Sequence, residues 1–204
     1  LKAAGMRVQV QLFKTAPLSP EQLRAVGWRG REGIYTAHEI LESYRLTRHN
    51  EIVGGSKFIR SGYGNHVLPD VDDVAARRIV GAFRGRFPEI GDVRIEREWG
   101  GPIFLSLDFL PVVGRSTKRG SILHSVAYAG HGVALASYAG EMIADILLER
   151  DGPGRVLWGR WNVPTPPEPL RWIAFQGITR FLTAVDRRAD ANAPRRPVHG
   201  GGVG

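Results

Sequence analysis

The sequence predicts an α+β fold built on a mixed or antiparallel sheet. Three observations carry that reading. Short runs that alternate apolar and polar residues recur through the first half of the chain. Longer runs with apolar residues at helical spacing interleave with them and dominate the end. A glycine turn joins one apolar run directly to a helix in the second half.

The elements follow in order. Met6 to Phe13 alternates apolar and polar residues, as a half-buried strand does. Pro17 and Pro20 break it, and Pro20 to Arg24 begins a short helix. Gly33 to His38 reads as a strand. Glu42 to Thr47 and Glu51 to Gly54 flank Arg48, His49 and Asn50, the pattern of a hairpin. A glycine-rich loop covers 54 to 66. Leu68 to Asp73 has the proline and acids of a helix start, and Val74, Ile79, Val80 and Phe83 supply the apolar face. Pro88 and Gly91 end that helix.

Asp92 to Trp99 alternates again, and Gly100, Gly101 and Pro102 interrupt it. Ile103 to Leu105 and Leu110 to Val113 are short strands around Asp108. Ser121 to Ala127 is a strand that feeds the Gly130-His131-Gly132 turn, and a helix follows to Glu149. Gly140 inside that helix costs about 1 kcal/mol relative to alanine, so close approach by another element is expected there. Gly152 to Gly154 stop the helix. Pro164, Pro166, Pro167 and Pro169 mark an extended segment. Leu170 to Arg188 forms an amphipathic helix, and 191–204 reads as a disordered tail.

Composition narrows the function classes. The 204 residues are 43% apolar and 24% charged, enough for a sizeable core. The net charge is +8, but the arginines are dispersed and interleaved with acids, so no nucleic-acid partner is expected. There is no cysteine, which excludes disulfides, thiolate metal sites and cysteine nucleophiles. No apolar run approaches the roughly 20 residues of a membrane span, and no signal peptide is visible, so the expectation is a cytoplasmic protein without a transmembrane segment. The chain opens on Leu1 rather than methionine, so either the start codon is non-standard or residues are missing upstream.

The glycine turn is the best lead to chemistry. A helix that starts in such a turn presents unpaired N–H groups and the positive end of its dipole, a setting for an anion or a ring that becomes anionic. His131 could act as a base there, although a histidine in a turn more often orients backbone. The turn is not a dinucleotide fingerprint, because Leu135 stands at the third glycine position. The histidines form no i, i+4 pair, so no metal site is indicated. Ser106 and Asp108 lack the G-x-S-x-G elbow of a hydrolase. Arginine beside tryptophan, at Trp158–Trp161 and Arg171–Trp172, reads as long stems lying over an apolar face.

Three segments in order resemble the D-amino-acid-oxidase-like family of FAD-dependent oxidoreductases, over residues 6 to 190. They are the Trp99-Gly100-Gly101 strand running into Asp108, Pro111 and Gly114; Tyr128 to Leu135 around the glycine turn; and the Glu42–Gly55 hairpin. The segment Val163–Leu170 and the helix behind it resemble the gamma-glutamylputrescine oxidase-like subgroup. The resemblance implies that Gly130, His131, Gly132, Val133 and Ala134 lie against the pyrimidine end of FAD. Gly100 and Gly101 would admit the ring, and Asp108 and Pro111 would shape the turn beside it. Tyr44, Arg48, Ile103 and Tyr128 are the implied substrate-side residues. No residue is assigned as catalytic.

Two departures from the family pattern refine this. Amino-acid oxidases of the family often carry arginine where this chain has Ile103, which favours an amine or a longer amino compound over a simple α-amino acid. Sarcosine-oxidase relatives tether flavin through a cysteine near the position of Gly101, so FAD here would be non-covalent. The family's N-terminal βαβ unit with its G-x-G-x-x-G turn is not in this sequence. The resemblance therefore implies a C-terminal portion, from a truncated gene, a split gene or a partial sequence, expected to be inactive alone, with a separate FAD-binding chain as a candidate partner. It divides into 1–98 (substrate-domain portion), 99–155 (C-terminal part of an FAD-binding domain), 156–190 (proline-rich segment and helix) and 191–204 (tail).

Overall fold

Antiparallel pairing builds the main sheet, and alternation decides which face each side chain takes. The structure, a computed structural model, describes residues 4–64, 66–116, 121–152 and 156–192. Strands β1 (Met6–Thr15), β2 (Ile34–Tyr35), β3 (Glu42–Leu46), β4 (Ile52–Ser56) and β5 (Ile95–Leu105) form one sheet in the order β2-β3-β4-β1-β5. Every pairing in it is antiparallel. The β3–β4 hairpin closes at Asn50, whose φ is 62° and whose amide donates to Thr47 O at 3.0 Å.

The expected break at Gly100-Gly101-Pro102 does not occur. β5 pairs with β1 from Lys14↔Arg97 to Met6↔Leu105 without a gap, and it crosses the 98/99 boundary drawn from the sequence. The reason is an edge position. Gln9 exchanges both backbone hydrogen bonds with Arg60, at 2.6 and 3.1 Å. Gln9 and Pro102 are therefore a non-hydrogen-bonded pair, and the donor that proline lacks faces outward.

One face of the sheet is covered by α2 (Asp73–Arg86), which turns Ala75, Ala76, Ile79 and Phe83 inward. Phe13, Tyr44, Leu46 and Ile52 meet them from the strands, joined by Trp28 and Phe87. Phe13 and Phe83 meet tilted at 4.9 Å between centroids, and Tyr44 meets Phe87 edge-on at 5.1 Å. Full burial of one such ring contributes about 1.5–3 kcal/mol. The helix starts later than Leu68: Asp72 is the cap, accepting from the amides of Val74 and Ala75 at 3.0 Å each. A short helix α1 (Pro20–Val26) has a capping box between Ser19 and Gln22.

A second unit follows in the chain. β6 (Val112–Arg115) and β7 (Leu123–Val126) pair antiparallel, and α3 (Gly132–Leu147) lays Ala139 and Met142 against Val113. Nothing comes within 4 Å of a Cβ placed on Gly140. The close neighbour expected there is thus absent among the described residues.

α4 (Leu170–Asn192) extends beyond Arg188 and absorbs the first two residues of the expected tail. The remainder, 193–204, and the helix stop at Pro153 and Gly154 lie outside the described residues. α4 docks through Phe175 against Met6 and Val8. Its buried Asp186 accepts the amides of Glu39 and Ile40 at 2.8 and 3.1 Å. Ile173, Ile178 and Phe181 stay exposed, so this is not a helix with a simple apolar side facing the core.

Beside it lies an ionic cluster. Glu42, 1% exposed, accepts from Tyr44 Oη at 2.8 Å and from Arg86 Nε and Nη2 at 3.2 Å each. Lys57 Nζ reaches it at 2.8 Å. Asp190 closes the ring of charges through Lys57, Arg86 and His38.

Candidate functional site

The glycine turn and the end of β5 are brought together. Leu105 and Tyr128 form an isolated antiparallel bridge, and the Ala129 amide donates to Phe104 O at 3.4 Å. The chain reaches the helix through a strained path. Ala127, Ala129 and Gly130 take φ of 66°, 51° and 89°. Glycine tolerates this at no steric cost, whereas each alanine is held there by its surroundings. The two alanines carry no sequence signature of that conformation, so the strain was not legible beforehand.

α3 then begins without a side-chain cap, with His131 at the N-cap position. The amides of Gly132, Val133 and Ala134 find no acceptor among the described residues, and Val133 is 97% exposed. Gly130 has nothing within 4 Å of a would-be Cβ. Open N–H groups, an uncapped dipole and unfilled space coincide, and that is the setting for an anionic ring edge.

Gly100 and Gly101 part company. A Cβ on Gly100 would lie 2.6 Å from Asp70 O and 2.7 Å from Val10 O, whereas Gly101 has open space. Gly100 is therefore a packing glycine on the α2 side, and Gly101 alone of the pair leaves open space, on the opposite face. The register puts Val10 opposite Gly101 and Val8 opposite Ile103. Ile103 packs at the rim of the small cluster around Met6, Val8 and Phe175.

Asp108 and Pro111 belong to the turn after β5. Arg160 reads this turn as a unit: its guanidinium donates to Asp108 Oδ2 at 2.5 Å and Oδ1 at 3.1 Å, to Leu110 O at 2.9 Å and to Pro111 O at 3.3 Å. That pairing, led by the Arg160 hydrogen bond, holds the Asp108 carboxyl below its ordinary range. Ser106 Oγ adds a bond to Leu110 O at 2.7 Å. Arg160 was expected to lie over an apolar face; it is an ion-pair partner, 52 residues distant. Arg171 likewise pairs with Glu168 at 2.7 Å and donates to Gly64 O at 3.1 Å.

The substrate-side expectations divide. Tyr128 sits beside the turn, its hydroxyl donating to Ser125 Oγ at 2.8 Å and its ring within 3.6 Å of the Gly132 Cβ position. Tyr44 is on the opposite face: it is 1% exposed, bonded to Glu42 and packed edge-on against Phe87 in the α2 core. Burial first, then the Glu42 charge, pushes its phenol well above its ordinary value. Alternation gives the opposite face to its neighbour Arg45, which is exposed and donates to Tyr35 Oη at 3.1 Å. Arg48 is exposed in the hairpin turn, with His49 as its partner at 3.0 Å, and the structure does not bring it to the glycine turn. Among the described residues no group of three His, Asp or Glu side chains is placed to hold a metal ion, and no helix is long and apolar enough to cross a membrane.

Comparison with known proteins decides the family. The profile described as FAD dependent oxidoreductase matches residues 2–146. This chain belongs to that family. It is 34% identical to gamma-glutamylputrescine oxidoreductase of Escherichia coli (strain K12) over 108 residues, covering 53% of this chain and 23% of that protein. It is 30% identical over 148 residues to the probable oxidoreductase OrdL of Haemophilus influenzae (strain ATCC 51907 / DSM 11121 / KW20 / Rd), covering 71% of this chain and 30% of the other. The fold matches glycine oxidase from Geobacillus kaustophilus with a TM-score of 0.60 at 13% identity, over 74% of this chain and 37% of that one. The chain thus spans a quarter to a third of the length of these curated relatives. The family implies FAD, and the uncapped α3 start with the space at Gly130 and Gly101 fits its ring.

Proposed function

We propose that this chain forms the flavin-ring and substrate side of an oxidoreductase that oxidises the C–N bond of an amine or amino-acid-like substrate to an imine. The uncapped N-terminus of α3, with the amides of Gly132, Val133 and Ala134 unpaired, is the observation that carries the reading. FAD, when bound, supplies the chemistry by accepting a hydride equivalent from the substrate carbon. The chain's own residues orient and stabilise. The α3 amides and dipole favour negative charge at the ring edge. Gly101 leaves room above the sheet, and Arg160 fixes the Asp108–Pro111 turn alongside. Ile103 in place of a carboxylate-binding arginine favours an amine or a longer amino compound, in line with the name of the Escherichia coli relative. Gly130, His131 and Tyr128 complete the wall.

A second reading has an observation of its own. Leu107, Phe109, Leu110 and Val133 are exposed apolar side chains on the same segments as the candidate site, and Gly140 stands open. These surfaces fit a covering region that carries the ADP-binding G-x-G-x-x-G turn, in the same polypeptide or in a separate chain. The test is a titration of the 204-residue chain with FAD, read by flavin fluorescence and visible absorbance. Saturable binding with a perturbed spectrum supports the first reading, and amine substrates should then bleach the flavin. A folded chain that leaves FAD unperturbed, yet binds it once a chain carrying G-x-G-x-x-G is added, supports the second. Failure of both refutes the proposal.

A further inference from the structure

A separate groove of 550 Å³ lies between Arg78 of α2, the segment Phe58–Tyr63 with His66 and Leu68, and the side of α4 from Trp172 to Arg187. None of the residues placed around the glycine turn lines it. Its walls carry Arg60, Arg78, Arg180 and Arg187, with His66, and no aspartate or glutamate. Arg60 is neutralised by Asp72. The other three guanidiniums have no carboxylate partner among the described residues. Arg78 lies over the Phe58 ring at 4.4 Å, which leaves its N–H edge available, and Arg187 gives only Nε to Thr183 O at 3.3 Å. The nearby acids are committed elsewhere: Asp186 to the amides of Glu39 and Ile40, Asp190 to Lys57, Arg86 and His38.

A groove lined by three such guanidiniums and no acid concentrates positive potential and favours an anion. Arg180 and Arg187 stand seven residues apart on α4, roughly 10 Å along the axis, with Arg78 on the opposite wall. That spread suits a ligand with two or more anionic groups better than a single monoanion. One end of the groove is aromatic: Tyr63 and Trp172 meet at 6.3 Å, 72° apart, and both retain exposed surface. A flat ring can lie on that pair while its charged end reaches the arginines. The volume falls within the roughly 300–1,000 Å³ of small-molecule sites.

We infer that this groove binds a nucleoside di- or triphosphate, with the phosphates on Arg78, Arg180 and Arg187 and the base on Trp172. The site is independent of the flavin position.

The test titrates the 204-residue chain with ADP, tripolyphosphate and adenosine separately, by equilibrium dialysis and tryptophan fluorescence. ADP should bind saturably and more weakly as salt rises, adenosine alone should not bind measurably, and tripolyphosphate should bind without the fluorescence change. The double variant R180Q/R187Q, at exposed helix positions, should keep its circular dichroism and lose about tenfold or more in ADP affinity. W172L should weaken ADP and leave tripolyphosphate unchanged. FAD also carries phosphates, so its binding is measured in the same variants: retention of FAD by R180Q/R187Q confirms two separate sites. ADP that fails to saturate, or that binds R180Q/R187Q as tightly as the parent chain, overturns the inference. So does binding only to a long polyanion such as heparin.

Discussion

Replacing Glu42 by glutamine removes one charge from the most buried ionic cluster of the chain and changes almost nothing in shape. The carboxylate, 1% exposed, takes two bonds from Arg86, one from Tyr44 and the Lys57 ammonium. The amide keeps one acceptor for Tyr44, but it leaves Lys57 and Arg86 facing a neutral group and places N–H against N–H. A charge-assisted bond contributes about 1.5–3 kcal/mol, and breaking a fully buried pair costs about 3–5 kcal/mol. The partners here are partly exposed, and Asp190 still balances them, so the expected loss is about 2–3 kcal/mol. For a chain of this size that lowers Tm by about 5–10 °C.

Acidity gives the cluster a second signature. Burial alone would raise the Glu42 carboxyl; hydrogen bonds from Arg86, Lys57 and Tyr44 outweigh it, so the folded value lies below the ordinary 4.5. A depressed folded value means that the contribution is present above the unfolded value and is lost as pH falls through the folded one. The gap between wild type and Glu42→Gln should therefore be full at neutral pH and close as the medium is acidified below about pH 4. Urea denaturation followed by tryptophan fluorescence at several pH values reads both quantities. A gap that is negligible at neutral pH, or that stays constant into acid while wild type is still folded, would refute the assignment of Glu42 as the charged centre.

Other substitutions probe the remaining parts. Gly54→Ala places a Cβ 2.7 Å from Phe13 Cζ and Tyr44 Cδ1, and should lose about 1–3 kcal/mol in chemical denaturation. Arg160→Gln removes the fork that holds Asp108, Leu110 and Pro111; a loss of about 1–2 kcal/mol by calorimetry is expected, together with weaker FAD binding if the turn borders the ring. Val133→Glu separates stability from binding: an acid in the first turn of α3 should stabilise the fold by up to about 1 kcal/mol, while FAD affinity, measured by fluorescence, falls.

Local pattern made much of this legible. β1 and the β3–β4 hairpin are legible as strands from their alternation and turn residues, although β1 buries both faces, Gln9, Gln11 and Phe13 on one and Met6 and Val8 on the other. The glycine turn and the helix after it stood out because backbone freedom leaves a mark in sequence. Pairings distant along the chain left none. Nothing in the neighbourhood of Asp108 announces Arg160, and nothing near Gln9 shows that Arg60 takes its backbone bonds and turns Pro102 into an edge residue. Tyr44 was misplaced for a different reason. In β3 the inward face carries Glu42 and Tyr44 beside Leu46, and a glutamate that is fully buried runs against the usual preference. Arg86 of α2 and Lys57 explain how Glu42 is tolerated inside, while Tyr44 and Leu46 pack in the core and Arg45 points outward.

Pro102 bears on how this chain behaves among copies of itself. Among the described residues the main sheet ends on the two-residue β2 at one side and the eleven-residue β5 at the other, and Tyr128 and Ala129 cover β5 only at its Phe104–Leu105 end. A margin left open over most of its length is a template on which a foreign strand can grow. The outward gap left by the proline falls between Gly101 and Ile103, so an incoming strand would meet a missing donor partway along. Pro102 thus acts as a stop against edge-to-edge association, and β5 can present its inner surface to a ligand without offering its margin to a neighbour.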